Sequence, residues 1–198
     1  VIEYEVQRQL TLLKIRNELT ALELKEGDIK DEIVNVTPVF DKTGCHVIRR
    51  ALEQNKGVWA INLPNFGGFL KRDLMPGIRL GREIADIAHF WGRVGGIFHT
   101  DELPAYGITD AEVQQLRQLM KAEPQDALVF VADTQENAFD ALKAVLERVR
   151  EAVKGVPGET RAANPDGTTR YMRPRPGAAR MYPETDVPPV QVTEEWLQ

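Results

Sequence analysis

Cysteine is almost absent from this chain: Cys45 stands alone among 198 residues. A single thiol excludes an internal disulfide framework and any zinc site built on several cysteines. It suits a reducing, cytoplasmic setting. Long apolar runs are also missing, and no stretch approaches the roughly 20 residues that span a bilayer. Positive charge is not in excess. Lys and Arg number 25 against 30 Asp and Glu, for a net charge of −5. That balance argues against a generally nucleic-acid-binding surface, so any RNA contact has to be local. A phosphate loop is missing as well. Gly67, Gly68, Gly77 and Gly81 fit neither GxGxxG nor the Walker A spacing, and no Lys-Ser or Lys-Thr pair follows them. They read as turn glycines. There is no internal repeat and no low-complexity tract.

One further absence is local. Residues 160–190 contain no lysine, yet they hold Arg161, Arg170, Arg173, Arg175 and Arg180, with Asp166 the one acid before Glu184. Seven of the chain's twelve prolines lie from Pro157 onward. Proline removes a backbone donor and clashes inside a helix, so this stretch is neither a long helix nor a central strand. Tyr171, Met172, Met181 and Tyr182 give it apolar anchors. An ordered, extended, arginine-studded segment suits an anionic partner such as phosphate or RNA. Arg161, Arg170, Arg173 and Arg180 are the candidate contacts. The competing reading is a surface loop clamped by its own salt bridges. Glu184 and Asp186 alternate along the extended segment and so share one side. With Tyr182 they are candidates to support an active site; a proline-fixed turn tied to Arg180 is the other reading.

Periodicity gives the coarse structure. Residues 2–24 read as a long helix with two apolar stripes, Leu12, Ile15, Leu19 and Leu22 on one, Val6, Leu10 and Leu13 on the other. Two stripes imply burial on two sides. Short strands are expected over 32–36, 57–63 and 95–99, and a short helix over 47–52. Ile84, Ile87, Ala88 and Trp91 define a helix over 80–91. Thr109 with Glu112 makes a capping box, and Asp133 with Glu136 suggests a second. The continuous apolar run 127–132 reads as a central strand. A helix with Ala138, Leu142, Val145 and Val149 follows and ends near Gly155. The mixture predicts an α+β fold, a two-layer α/β sandwich with helices on one face of the sheet. Each helix has its own stripe, so residues 44–154 are expected to fold independently. Val1 begins directly in helical periodicity, and Thr193 opens a helix that stops within four residues. The chain therefore reads as a segment of a longer protein.

The remaining chemical candidates are thin. His99, Asp101, Glu102 and His89 could form a metal cluster, but neighbouring strand-end residues point in different directions and no HExxH register exists. A turn capped by Asp101 and Glu102 ahead of Pro104 is the stronger expectation, and a small hydrolase using His99 and Asp101 is a weaker one. Cys45 and His46 are sequence neighbours that do not face each other, so Cys45 reads as a small buried residue. No catalytic residue and no metal ligand is assigned.

The long motifs carry a resemblance. PETDVPPV, with the preceding arginine-rich stretch and the opening VIEYEVQRQLTLLKIRNEL, resembles the E-type subunit of the archaeal glutamyl-tRNA(Gln) amidotransferases, and more distantly the B-type subunit of the bacterial enzymes. GVWAINLPNFGGFL, VGGIFHTDELPAYGIT and DALVFVAD resemble the GAD domain, shared with bacterial aspartyl-tRNA synthetases. The resemblance covers nearly the whole chain. It implies a largely antiparallel sheet. It also implies residues 1–28 as a helix of the catalytic cradle, 29–155 as the inserted GAD domain with its entry linker, and 156–198 as the return into the cradle and the start of the next helical domain. For the longer protein it implies an ATP- and magnesium-dependent, amide-forming ligase that converts Glu-tRNA(Gln) to Gln-tRNA(Gln). The ammonia would come from a glutaminase- or asparaginase-like partner protein. The magnesium ligands would lie upstream of this segment, so the segment alone is expected to be inactive. An aspartyl-tRNA synthetase-like insert, acting as a structural or RNA-binding module, is the alternative. The opening helix is expected to pack on the returning segment rather than on the GAD domain.

Overall fold

The computed structural model describes residues 1–174. Arg175, Arg180, Tyr182, Glu184 and Asp186 lie outside the described residues.

The chain opens with α1 (Ile2–Ala21), followed by β1 (Val34–Asn35), α2 (His46–Glu53), β2 (Gly57–Leu63) and the small ribbon β3 (Asp73–Met75) and β4 (Ile78–Arg79). Then come α3 (Leu80–Gly92), β5 (Phe98–His99), α4 (Asp110–Met120), β6 (Ala127–Asp133) and α5 (Gln135–Lys154). The hairpin β7 (Glu159–Ala163) and β8 (Thr169–Pro174) follows. The main sheet has the order β1-β2-β6-β5 and is antiparallel throughout. Its spine is β2 against β6, in register from Gly57 opposite Asp133 to Leu63 opposite Ala127. The unbroken apolar run of β6 places it inside the sheet, as its sequence requires. A strand apolar on both faces needs cover on both.

The cover explains the layering. Ile61, Leu63, Val129 and Val131 point to one side, into a core with Leu12, Ile15, Leu19, Ile84, Leu142 and Val145. Val58, Ala60, Leu128 and Phe130 point to the other, into a second core with Phe40, Cys45, Ile48, Val113 and Leu116. The α+β class and the antiparallel sheet are as the sequence implies. The helices, however, are not confined to one face: α1, α3 and α5 cover one side, α2 and α4 the other. Alternating residues of both spine strands are apolar, and that leaves neither side free for water. Cys45 is buried, as its type suggests.

Local rules account for the helix ends. The Thr109 hydroxyl accepts from the Glu112 amide, and the Glu112 carboxylate accepts from Thr109 N–H, so the expected capping box opens α4. The second box is not formed. Thr134, one residue later than expected, caps α5 by accepting from Asn137 N–H. Asp133 remains the last residue of β6, and its carboxylate accepts from Thr134 N–H at 2.7 Å and Asn137 Nδ2 at 3.2 Å. At the crossing of α3 and α5, Gly92 lets the helices touch. A Cβ added there would meet Ala141 Cβ at 2.4 Å.

Helix α1 is part of this fold. Leu12, Ile15 and Leu19 are buried in the core that α3 and α5 share, so α1 packs on those helices as well as on the β7–β8 hairpin, not on the hairpin alone as expected. On its second stripe Val6 and Leu10 are 52% and 54% exposed and Leu13 is half-buried, while Leu22, assigned to the first stripe, is exposed. Ile15→Ala should therefore cost about 2–5 kcal/mol of stability. Leu10→Ala should stay within about 0.5 kcal/mol. Urea denaturation of the two variants checks both values. Equal, small effects would show α1 to be a passenger.

Candidate functional site

The main polar feature of the fold sits where α1, α3, α5 and the β7–β8 hairpin meet. Glu83 of α3 lies at its centre, 2% exposed. Arg8 of α1 grips it two-pronged, through Nε to Oε1 and through Nη2 to Oε2. Arg148 of α5 donates to Oε2 at 3.2 Å. Arg161 of β7 brings Nη2 to within 3.0 Å of Oε1. Two further carboxylates balance the set. Glu5 accepts from Arg8 Nη1 at 2.9 Å. Glu159 accepts from Arg8 Nη2 at 2.6 Å and from Arg161 Nη1 at 2.7 Å. Thr169 of β8 closes the ring, accepting from Arg161 Nε at 2.8 Å and donating to Glu5 Oε2 at 2.8 Å.

Three guanidinium groups thus face three carboxylates, and the sum is zero. Burial alone would raise the Glu83 carboxyl pKa; the Arg8 hydrogen bonds and the charges of Arg8, Arg148 and Arg161 outweigh it and hold the group below its ordinary range. Glu5 is lowered in the same way, burial again being overcome by hydrogen bonds from Gln9 and Thr169 and by arginine charge. The neighbouring carboxylates, against the cost of burial, hold the Arg8 guanidinium above its ordinary value. The residues at the heart of this cluster escape a motif search, but they carry a signal. Arg8 precedes Leu12, Ile15 and Leu19 at helical spacing, and Arg148 falls between Val145 and Ala152 on a buried face. A charge standing in an apolar register marks a buried partner.

The sequence candidates divide across the hairpin. Residues directly opposite in an antiparallel pair point to the same side. Arg161 pairs with Tyr171, while Thr160 pairs with Arg173 and Ala162 with Arg170. The register shift between Thr160 and Arg161 accommodates Met172 as an extra residue. Arg161 and Tyr171 therefore share the inner side. Tyr171 meets Phe90 edge-on at 5.3 Å, and Arg161 is consumed by carboxylates as the clamped-loop reading has it. Arg170 and Arg173 share the outer side and are exposed. Arg170 also donates to Asn164 Oδ1 in the hairpin turn.

The other candidates separate. Asp101 accepts from Gly68 N–H at 2.8 Å and Leu70 N–H at 2.9 Å, so it caps the turn after β2, where Gly68 has φ +87°. His99 Nε2 is 3.5 Å from Glu102 Oε1, with Gly81 leaving room for its ring. Burial lowers the His99 pKa despite the nearby charges of Glu102 and Asp101. His89 Nδ1 lies 2.7 Å from Val94 O. Among the described residues no three His, Cys, Asp or Glu side chains come together as a metal site.

In this fold, a sheet packed on both faces with an arginine hairpin returning beside its first helix, residues 48–142 match the GAD domain family. Over nearly its whole length the chain is similar to the E-type subunit of glutamyl-tRNA(Gln) amidotransferase. It is 54% identical to that protein of Pyrococcus furiosus over 195 residues, 98% of this chain and 31% of the relative. The counterpart from Archaeoglobus fulgidus is 52% identical over 197 residues, 100% of the chain and 31% of the relative. That of Methanopyrus kandleri is 51% identical over 196 residues, 98% and 30%. The chain thus spans about a third of the length of these relatives.

The cluster makes stability depend on pH. Folded Glu83 and Glu5 bind protons less tightly than their unfolded counterparts at the ordinary value of 4.5. The unfolded state therefore holds more protons there, and stability is present above 4.5 and lost as the pH falls through the lowered folded values. Glu83→Gln, which leaves three buried arginines underpaired, should cost about 3–5 kcal/mol at neutral pH. Its melting curve should converge on that of the parent in acid. Curves that stay parallel down to acid pH would contradict the account.

Proposed function

We propose that this chain is the insert-bearing part of a tRNA-dependent amidotransferase, and that the outer side of its β7–β8 hairpin touches tRNA phosphate. The observation that carries this is the partition of the arginines. Arg161 faces inward and is neutralised, whereas Arg170 and Arg173 face out together on a chain that is otherwise acidic. Arginine gives planar, multi-pronged phosphate contacts. The similarity to the E-type glutamyl-tRNA(Gln) amidotransferase proteins supplies the nucleic acid such a face would meet. Arg180 belongs to the same proposal on sequence grounds, as do Tyr182, Glu184 and Asp186 for support of the active site.

In this reading the longer protein makes Gln-tRNA(Gln) from Glu-tRNA(Gln) in the cytoplasm, using ATP, magnesium and ammonia from a glutaminase- or asparaginase-like partner protein. The sequence carries no phosphate-loop spacing, and among the described residues no group of three His, Cys, Asp or Glu side chains could hold a metal ion. Activity belongs to the longer protein, and this chain serves as a structural and tRNA-contacting piece. No helix of the described residues is long and apolar enough to cross a membrane.

The test compares arginines within the full-length protein. Arg170→Ala and Arg173→Ala should each weaken tRNA(Gln) binding and reduce the slope of log affinity against log salt by about 1, with melting unchanged. Arg161→Ala should lower the melting temperature and leave the slope of the folded fraction as it was. Outer-side variants that keep the parent's salt slope would sink the phosphate reading.

A further inference from the structure

A cavity of about 520 Å³ opens between α3, α5 and β8. Trp91 and Tyr171 are its aromatic walls, and Ile87 and Pro174 extend the apolar surface. Its α5 side follows helical spacing, with Asp140, Ala144, Glu147 and Glu151 at i, i+4, i+7 and i+11.

Among its charged lining groups, Asp140 and Lys143 are exposed to water, whereas two groups of opposite sign are buried or half-buried with unmet atoms. Arg148 is 2% exposed, and only its Nη2 is used, on Glu83. Its Nε and Nη1 are buried without an acceptor among the described residues. A buried donor left unmet costs about 1–3 kcal/mol, more when charged, so such groups call for an explanation. Glu151, half-buried, makes no ion pair among the described residues. Burial and the charges of Glu159 and Glu147 push its carboxyl up, against Arg148 and Lys154. Glu147, by contrast, is held by Arg150.

Chemistry narrows the occupant. A polyanion would bring phosphates against Asp140, Glu147 and Glu151, so nucleic acid does not suit this cavity. A cation does, since aromatic faces beside a carboxylate form a cage for guanidinium or ammonium groups. The vacant Arg148 donors require an acceptor on the same ligand, and a peptide carbonyl supplies one. We infer that this cavity binds a basic peptide segment of a partner protein. Its arginine or lysine side chain would lie against the faces of Trp91 and Tyr171 toward Glu151, and a backbone carbonyl would accept from Arg148. The inference does not depend on the tRNA reading, which uses the opposite side of the hairpin.

The probe is N-acetyl-arginine N-methylamide, titrated into the full chain while the Trp91 indole is followed by NMR. A saturable shift of that signal is expected, with N-acetyl-leucine N-methylamide producing none. Glu151→Gln, and Trp91→Ala followed at the Tyr171 backbone amide signal instead, should each weaken binding on the order of five- to tenfold. Both sites are partly open, so the variants should melt like the parent, and Glu136→Gln on the first turn of α5 should bind like it. No saturable response overturns the inference. An equal response to the leucine compound reduces the cavity to an apolar patch and also overturns it. A Trp91 shift that follows protein concentration without any probe assigns the cavity to a second copy instead, and that too overturns it.

Discussion

Three guanidinium groups and three carboxylates withdrawn from water must balance as a set. An isolated buried ion would cost several kcal/mol. Here the partners come from α1, α3, α5 and β7, so the balance exists only when all four elements are in place. The apolar packing of Leu12, Ile15 and Leu19 would tolerate small slips of α1. The two-pronged grip of Arg8 on Glu83 would not, because the carboxylate offers that geometry in one orientation. Hydrophobic burial drives the association, and the charges select its register.

The hairpin shows one sequence stretch serving two ends. Alternation along a strand sends neighbouring side chains to opposite sides. Arg161 and Tyr171 are taken inward by Glu83 and Phe90, and the bulge at Met172 brings Arg173 round to the side of Arg170. The two readings of the arginine-rich stretch, clamped loop and phosphate contact, are therefore not rivals for the whole segment. The first describes Arg161 in the structure. The second concerns the outer pair and is the basis of the proposed function.

Much of the fold was legible because periodicity reports burial directly. The stripe Ile84, Ile87 and Ala88 marked α3, the run Ala127 to Ala132 marked the inner strand, and Thr109 with Glu112 marked the start of α4. What was not legible depended on partners distant in sequence. The second layer on β2 and β6 follows from both faces being apolar, but assigning α2 and α4 to it requires the topology. Thr134 displaced Asp133 as the α5 cap because Asp133 still belongs to the strand. The burial of Arg8, Glu83 and Arg148 was hidden because each is an ordinary helical residue by type. Their meaning emerges only when α1, α3 and α5 converge. The likeness to the E-type amidotransferase proteins was visible in long motifs, yet no motif distinguishes the inward arginine from the outward ones.

The partners of Arg8 are spaced far along the chain, Glu83 75 residues later and Glu159 151 residues later. At ribosomal speeds of about 5–20 residues per second, roughly 8–30 s separates the synthesis of Arg8 from that of Glu159. During that interval α1 can form its helix, but Arg8 has neither its central nor its last carboxylate. Seating the helix early would bury an underpaired cation, so the ordering of charges delays the docking of α1 until the hairpin has emerged. An element made before its partners is thereby among the last of them to be fixed.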